Sequence, residues 1–368
     1  MMEENSDTAP AGAPAPASTR ARVKRQRSSS RTAPTSWTVA DAAGVSQSTV
    51  SRALRGDASV KLETRLRVES AAERLGYRVP SLEAARATAT RTIGVVAADL
   101  TNPFFPSLLT PIHDELRLMG YRVVLFAERT DIPSGQEALS RLLDRSIDGV
   151  LVTTATLESR FMESVRGRDL PIVLLNRYVD DWDVDRSVAD NYKGGRLAAR
   201  HLLDLGHRRI GVIRGPSNTS TSRDRDAGFA DELGEVGLQV DPALVREGSY
   251  SHQSGYQHAR DLLRLEERPT AIFCGNDIIG FGAIDAARSV GIDVPSEVSI
   301  IGFDDVPMAA WEVFQLTTVR QPLADMATAA VHMLAERIER HGELDNAREQ
   351  IFATSLVRRA TTDRAVGS

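Results

Sequence analysis

The sequence predicts two architectures in one chain: a small all-helical segment at the front, then an α/β core of two lobes with a cleft between them. Three observations predict this. Residues 39–54, VADAAGVSQSTVSRAL, read at helical spacing as two short helices joined by a tight corner. From Ile93 onward, short apolar strands alternate with amphipathic helices. That is the pattern of a parallel sheet covered on both faces, and about ten such strands exceed one comfortable lobe. Third, the net charge of −5 is unevenly spread: residues 1–92 hold 15 Lys and Arg against 9 Asp and Glu, the remainder 30 against 41. A basic front and an acidic remainder suit a chain whose first part meets a polyanion.

The composition limits the class. A chain of 368 residues, 42% hydrophobic and 26% charged, is long enough for two or three globular domains. No apolar run approaches the ~20 residues of a membrane helix. The first residues are rich in Ala, Pro and Ser without an apolar stretch of the secretory kind, so a cytoplasmic location is expected. A single cysteine, Cys274, excludes an intrachain disulfide framework and any multi-cysteine metal site. No metal spacing joins the histidines, and neither a phosphate-cradling loop nor a nucleophile–base pair stands out. An enzyme is not expected, nor a cofactor.

In chain order, residues 1–35 form a basic tail with no periodic apolar pattern to bury, and disorder is expected. Two readings stay open for its cluster Arg20, Arg22, Lys24, Arg25, Arg27 and Arg31: a solvated tail, or an arm adding phosphate contacts. In the first helix Val39, Ala42 and Ala43 make an inward stripe. Gly44 takes the positive φ that ends the helix, Val45 plugs the corner, and Ser46 caps the second helix. There Val50, Ala53 and Leu54 face inward, leaving Gln47, Ser48, Ser51 and Arg52 outward. Such a face suits a DNA major groove, and equally an ordinary hairpin with a solvated outer side. A third helix, Glu63–Leu75, turns Val68, Ala71, Ala72 and Leu75 inward. A linker over residues 80–92 contains a short helical piece, LEAARA.

The core then reads as strands IGVVAA, RVVLFA, GVLVT, PIVLLN, RIGVIRG, Val245–Gly248, TAIFCG and VSIIGF. Helices are expected at Leu108–Met119, Gln136–Arg145, near Met162, at Gly194–Leu205, over AGFADELGEVG, after Ser254 and over IIGFGAIDAARSVG.

A series of motifs carries a resemblance: AGVSQSTVSRAL, LGY, IGVVAADLTNPFF, GYRVVLF, DGVLVT, PIVLLNR, DNYKGG, LGHRRIGVIRGP, FCGNDIIGFGAI, VSIIGFDD and LTTVRQPL. In sequence and spacing, residues 35 to 360 resemble the lactose-repressor/galactose-repressor family of transcription regulators. The resemblance implies a helix-turn-helix headpiece over 36–79, a hinge over 80–92, and a two-lobed periplasmic-binding-protein-like core over 93–360. Lobe 1 would take about 93–189 and 320–347, and lobe 2 about 190–318 and 349–360, with 361–368 a tail. It implies a cytoplasmic homodimer, without the leucine-heptad tail of tetrameric relatives, that binds a near-palindromic duplex operator. A small-molecule effector between the lobes would control that binding, most often as repression. A saccharide-binding transport protein shares such a core but lacks a headpiece.

Residue by residue, the resemblance places Gln47 and Ser48 on base edges, with Ser51 and Arg52 following on the same face. Thr49 and Ser51 would position phosphates. Thr38, counted with Arg55 and Arg86 among the DNA-binding residues, stands where the family usually has an acidic residue and can still cap. Arg55 stands where Asn is frequent. In the hinge, Ala85-Arg86-Ala87-Thr88 replaces the usual Ala-Arg-x-Leu, so Arg86 is retained and Thr88 takes the wedge position. Weaker minor-groove insertion is expected. For the effector, Phe104, Phe105, Thr153 and Asn176 would line the cleft from lobe 1, and Thr219, Thr221, Arg225, Tyr250, Asn276 and Asp304 from lobe 2. No Lys or further Arg stands in the matched positions, which favours a neutral saccharide over a purine or a phosphorylated ligand. Alternatively Arg225 and Asp304 pair with each other, and Phe104 and Phe105 belong to the core.

Overall fold

The computed structural model describes residues 35–54, 60–75, 77, 90–127, 147–156, 170–180, 182–340 and 346–365. The chain divides into two compact units, Met1–Ala87 and Thr88–Ser368. Arg55, Arg86, Thr88, the helical piece of the linker, and the helices expected at Gln136–Arg145 and near Met162 all lie outside the described residues.

The first unit holds α1 (Ser36–Ala43), α2 (Gln47–Leu54) and α3 (Leu62–Leu75). Its core is built from small side chains: Val39, Ala40, Ala43, Val50, Ala53, Val60, Val68, Ala71 and Ala72, with Val45, Leu54 and Tyr77 packed against them. Gly44 sits at φ 65° and ends α1, its N–H donating back to Ala40 and Asp41. Ser46 accepts from the N–H of Thr49 and caps α2.

Three expectations need correction. Ala42 is exposed and Ala40 is buried, because the face of α1 that packs on the other helices is centred on Val39, Ala40 and Ala43. Its N-cap is Thr35, not Thr38; Thr38 is the third helical residue and closes a capping box with Thr35. Leu75, at the end of α3, is 38% exposed rather than inward.

The second unit contains two six-stranded sheets. The first has the order β11-β5-β4-β3-β1-β2. Its strands are β1 (Thr92–Ala97), β2 (Arg122–Ala127), β3 (Gly149–Val152), β4 (Ile172–Leu175), β5 (Asp185–Ala189) and β11 (Glu349–Phe352). The second sheet has the order β12-β10-β9-β8-β6-β7. It comprises β6 (Ile210–Arg214), β7 (Val245–Glu247), β8 (Ala271–Cys274), β9 (Ser299–Asp304), β10 (Thr317–Arg320) and β12 (Ser355–Val357). Every pairing is parallel except β10 with β12. Central strands β1, β3, β8 and β9 are buried along their whole length, as sheets covered on both faces require.

Helices α4 (Phe104–Leu118) and α9 (Leu323–Glu339) pack together, α9 also along β3, β4 and β5. On the second sheet, α5 (Asn191–Asp204) pairs with α6 (Ser220–Gly234), and α7 (His252–Leu263) with α8 (Asp277–Ser289). Both pairs meet backbone to backbone. A Cβ on Gly195 of α5 would stand 2.1 Å from the Arg225 carbonyl oxygen, and one on Gly228 of α6 would stand 1.9 Å from that of Tyr192. Gly255 and Gly282 do the same between α7 and α8.

Three crossings join the lobes: β5 to α5, β10 to α9, and β11 to β12. The first and third are tied together, the N–H of Asp190 donating to the Phe352 carbonyl at 2.8 Å. Residues 349–352 therefore belong to lobe 1, not lobe 2, because they extend the first sheet beside β5. The fully buried Asp185 holds them there. Its carboxylate accepts from Arg337 of α9 and from the backbone and guanidinium of Arg348, with ion-pair distances of 2.6 Å to both arginines. Burial alone would raise the pKa of Asp185, but the bonds from Arg337 and Arg348 hold it below the usual carboxylate range.

Candidate ligand cleft and nucleic-acid interface

In the helical unit, Ser48 and Arg52 of α2 are exposed, while Gln47, Thr49 and Ser51 are half-buried. The Gln47 amide donates to Ser36 Oγ at 3.3 Å, which ties the first turn of α2 to the first turn of α1. The hydroxyls of Ser48 and Thr49 lie 2.9 and 2.8 Å from Ser46 Oγ. Together α2 presents an amide, short hydroxyls and one guanidinium on a face with no bulky apolar side chain. Thr38 is turned away from this set: its Oγ1 donates to the Thr35 carbonyl at 2.6 Å and accepts from the Thr35 N–H at 2.8 Å.

In the core, ten residues converge on a cleft between the lobes, at the carboxyl ends of the strands where open α/β sheets bind ligands. Asn102, Phe104, Phe105, Asn176 and Arg177 line it from lobe 1, and Thr221, Arg225, Tyr250, Asn276 and Asp304 from lobe 2. Phe104 and Phe105, at the start of α4, pack edge to face with centroids 5.5 Å apart. They line the cleft and also belong to the hydrophobic core. Asn176 follows β4 at φ 75°, a left-handed conformation that Asn tolerates. Its Nδ2 donates to the Thr153 carbonyl, and its buried Oδ1 has no hydrogen-bond partner among the described residues.

Arg225 is 3% exposed and held from three sides. Its Nε donates to Asn191 Oδ1 at 2.8 Å and its Nη1 to the Gly275 carbonyl at 2.7 Å. Its Nη2 lies 3.3 Å from Asp304 Oδ1, and the guanidinium stacks 3.7 Å above the Phe303 ring. The Arg225–Asp304 pairing is thus present within the cleft. Asp304 also accepts from Gln321 at 2.7 Å. Burial pushes its pKa up to about 6, against the opposing pull of Arg225, Gln321 and Asn276. Behind it, burial and then the proximity of Asp304 raise the pKa of Asp277, whose carboxylate accepts from Thr318 and the Val306 N–H. Tyr250 OH is 3.3 Å from Thr221 Oγ1, and Asn276 caps α8.

The lobes are latched beside this cleft. The Tyr178 hydroxyl donates to Asp224 at 2.8 Å, its backbone N–H donates to Ser220 Oγ at 3.0 Å, and Arg223 pairs with Asp180 at 2.5 Å. The space between the lining side chains is about 20 Å³. That is room for about one water, whereas ligand pockets run about 300–1,000 Å³. A larger occupant needs the lobes to part.

Two expected residues do not line the cleft. Thr153 donates to the Val96 carbonyl at 2.8 Å and stitches β3 to β1. Thr219 caps α6, accepting from the Ser222 N–H, and donates to the Pro216 carbonyl. Conversely, sequence reasoning passed over Asn102 and Arg177, each within two residues of a chosen position. Asn102 Oδ1 accepts from the Phe104 N–H at 3.0 Å, and the Arg177 guanidinium lies 5.6 Å from the Tyr250 ring centre. Arg177 also removes the argument for a neutral ligand from a lack of further arginine.

Comparisons with known proteins agree with this geometry. Residues 38–80 match the model of bacterial regulatory proteins of the lacI family, and residues 199–362 match a periplasmic binding protein-like domain. The chain is 38% identical to an uncharacterised HTH-type transcriptional regulator in the aml 5′ region of Streptomyces limosus, over 88% of this chain and 93% of that one. It is 32% identical to the HTH-type transcriptional repressor PurR of Erwinia tasmaniensis, over 88% of this chain and 96% of the relative. The solved complex of the transcriptional regulator CelR with cellobiose matches with a TM-score of 0.69 and 29% identity, over 89% of this chain and 99% of that one. Among the described residues, no helix is long and apolar enough to cross a membrane.

Proposed function

Because the chain belongs to the LacI family of bacterial regulatory proteins, we propose that it is a cytoplasmic homodimeric repressor whose operator binding is set by a saccharide held between its lobes. Each headpiece reads one half of a near-palindrome. Gln47, Ser48, Ser51 and Arg52 face the base edges and Thr49 faces a phosphate. Arg55 adds a contact beside the reading helix, and Arg86 and Thr88 of the hinge meet the minor groove with a weaker wedge than a leucine provides.

The cleft carries the effector reading. It combines three aromatic rings with two planar guanidinium groups, a carboxylate and three carboxamides, the set that holds ring faces and hydroxyls of a sugar. A related protein that binds cellobiose supports the class. Asn176 Oδ1, buried without a partner among the described residues, is an acceptor suited to a sugar hydroxyl. The sugar binds one arrangement of the lobes better than the other, and by the same difference changes the affinity for DNA.

The test is binding to a 200-bp duplex from immediately upstream of the chain's own reading frame, repeated across a panel of neutral and acidic saccharides. Salt-sensitive binding that one sugar of the panel abolishes is the expected result. Binding that no sugar changes overturns the effector reading, and no preference for upstream DNA overturns the regulatory one. Release by an acidic sugar alone would assign the cleft to anions through Arg177 and Arg225.

A further inference from the structure

Two short segments face each other across the cleft, and each carries both lining residues and residues that bond to the other lobe. In lobe 1, Asn176 and Arg177 line the cleft, and Tyr178 and Asp180 follow them. In lobe 2, Thr221 and Arg225 line it, with Ser220, Arg223 and Asp224 beside and between them at the start of α6. A motion that widens the cleft therefore pulls Tyr178 away from α6.

Tyr178 is the centre of that contact. Its hydroxyl donates to Asp224 Oδ2 and accepts from Arg223 Nη2, both at 2.8 Å, and its N–H donates to Ser220 Oγ at 3.0 Å. The ring packs on the lobe 1 core, so only the hydroxyl and the N–H reach lobe 2. Behind the ring, the Arg186 guanidinium lies 4.5 Å from its centre and pairs with Glu349 of β11 at 2.7 Å, which braces the phenol from its own lobe. Burial, and then the bond to Asp224, push the Tyr178 pKa up to about 12, so the phenol stays a donor throughout the physiological range. The Arg223–Asp180 pair is open to water, Asp180 being exposed, and adds little.

We propose that the Tyr178 hydroxyl is an interlobe lock, which holds the lobes closed and which an effector must break to enter. What the lock keeps out rests on the reading of the cleft as an effector site. The closed cleft, at about 20 Å³, admits no sugar, and lobes parted far enough to admit one leave the phenol short of Asp224. The lock therefore opposes effector binding, and its removal favours the open arrangement.

The experiment measures hydrogen exchange at single-amide resolution in the full chain without added sugar, for the parent, Tyr178→Phe and Tyr192→Phe. The residue 178 N–H is bonded across the cleft, whereas the Asn176 N–H is bonded within lobe 1, to the Ser187 carbonyl at 3.0 Å. Phenylalanine at 178 keeps the ring and the N–H and removes only the hydroxyl. Tyr192→Phe removes a bond of the same kind, 2.8 Å to Asp231, that lies wholly within lobe 2. A bond to a charged group is worth a factor of about ten in an equilibrium, so exchange at residue 178 should rise about tenfold in Tyr178→Phe alone. The Asn176 N–H should keep the parent rate in both variants. Equal exchange at residue 178 in the parent and Tyr178→Phe overturns the lock. So does an equal rise at Asn176, which would mean that lobe 1 itself had loosened, or a comparable rise at residue 178 in Tyr192→Phe. The expected pattern, with no sugar of the panel releasing DNA, would keep the lock and remove the saccharide reading.

Discussion

Replacing Gly195 by alanine tests how closely the position of Arg225 depends on helix packing. The new Cβ would meet the Arg225 carbonyl oxygen at 2.1 Å, with the Arg225 carbonyl carbon and the Phe229 nitrogen at 3.0 Å. A comfortable carbon–oxygen approach is about 3.3 Å, so α6 must withdraw by about 1.2 Å. These atoms are backbone and cannot rotate aside. Overpacking of this kind costs about 1–3 kcal/mol, and the upper end applies here. Alanine returns about 1 kcal/mol of helix propensity. The net loss is about 2 kcal/mol, or a melting temperature lower by about 4–8 °C.

The cleft suffers separately. Arg225 is anchored to Asn191, Gly275 and Asp304 at 2.8, 2.7 and 3.3 Å, and none of these partners lies on α6. Withdrawal of α6 stretches all three contacts, and losing one bond to a charged group weakens sugar binding by about 1.5–3 kcal/mol, more than tenfold. The assays are thermal melting of the full chain and calorimetric titration with the sugar that releases DNA. Gly234→Ala is the control, since a Cβ there meets nothing within 4 Å. If Gly195→Ala melts at or above the temperature of Gly234→Ala, the packing argument is refuted.

Three further outcomes are expected. Asp185→Asn strips the partner from Arg337 and Arg348 and lowers stability by about 3 kcal/mol at pH 7. Because the folded pKa of Asp185 lies below its unfolded value, its stabilisation is present above about pH 4 and is lost on acidification. The gap between melts of the parent and the variant should therefore narrow as pH falls below about 4, and a gap that does not narrow would refute the ion-pair account. Asp304 has the opposite sign. With its pKa raised to about 6, its contribution is full below about pH 4 and fades as pH rises through 6, so Asp304→Asn should flatten the stability profile over that window. Sugar affinity of the parent should also fall from pH 7 to 5 as the charge facing Arg225 is lost, a trend that titrations of Asp304→Asn should not reproduce. Finally, Gln47→Ala should weaken binding to the upstream fragment by about 1–3 kcal/mol and leave a random duplex nearly unaffected in anisotropy titrations. Equal losses on both DNAs would remove Gln47 from base reading.

The buried strands were the most legible part of the chain. TIGVVA, AIFC and SIIGFD are buried along their length and mostly apolar because both faces of their sheets are covered, and their shortness sets them apart from buried helices. The two strands at the β11 side of the first sheet were not legible. DRSVA of β5 and EQIF of β11 carry charges that find partners only in three dimensions, Asp185 with Arg337 and Arg348, and Arg186 with Glu349. That is why the third crossing was placed too early. In α1 the stripe was read in the wrong phase because Ala40 and Ala42 are the same residue type, and only packing against α2 and α3 decides which of them is buried. In the cleft, strand ends pointed to the right loops but not to the right side chains. Thr153 follows β3 yet turns back to Val96, while Arg177, one residue past Asn176, faces the cleft.

The late arrival of β11 has a consequence in time. Arg348 reaches Asp185 across 163 positions of the chain. At about 5–20 residues per second, the ribosome needs roughly ten to thirty seconds to travel that distance. Until β11 emerges, β5 has no partner strand on that side and Asp185 lacks its bonds from Arg348, while the headpiece helices have long since emerged. The growing polypeptide thus gains its helix-turn-helix headpiece well before the first sheet can close.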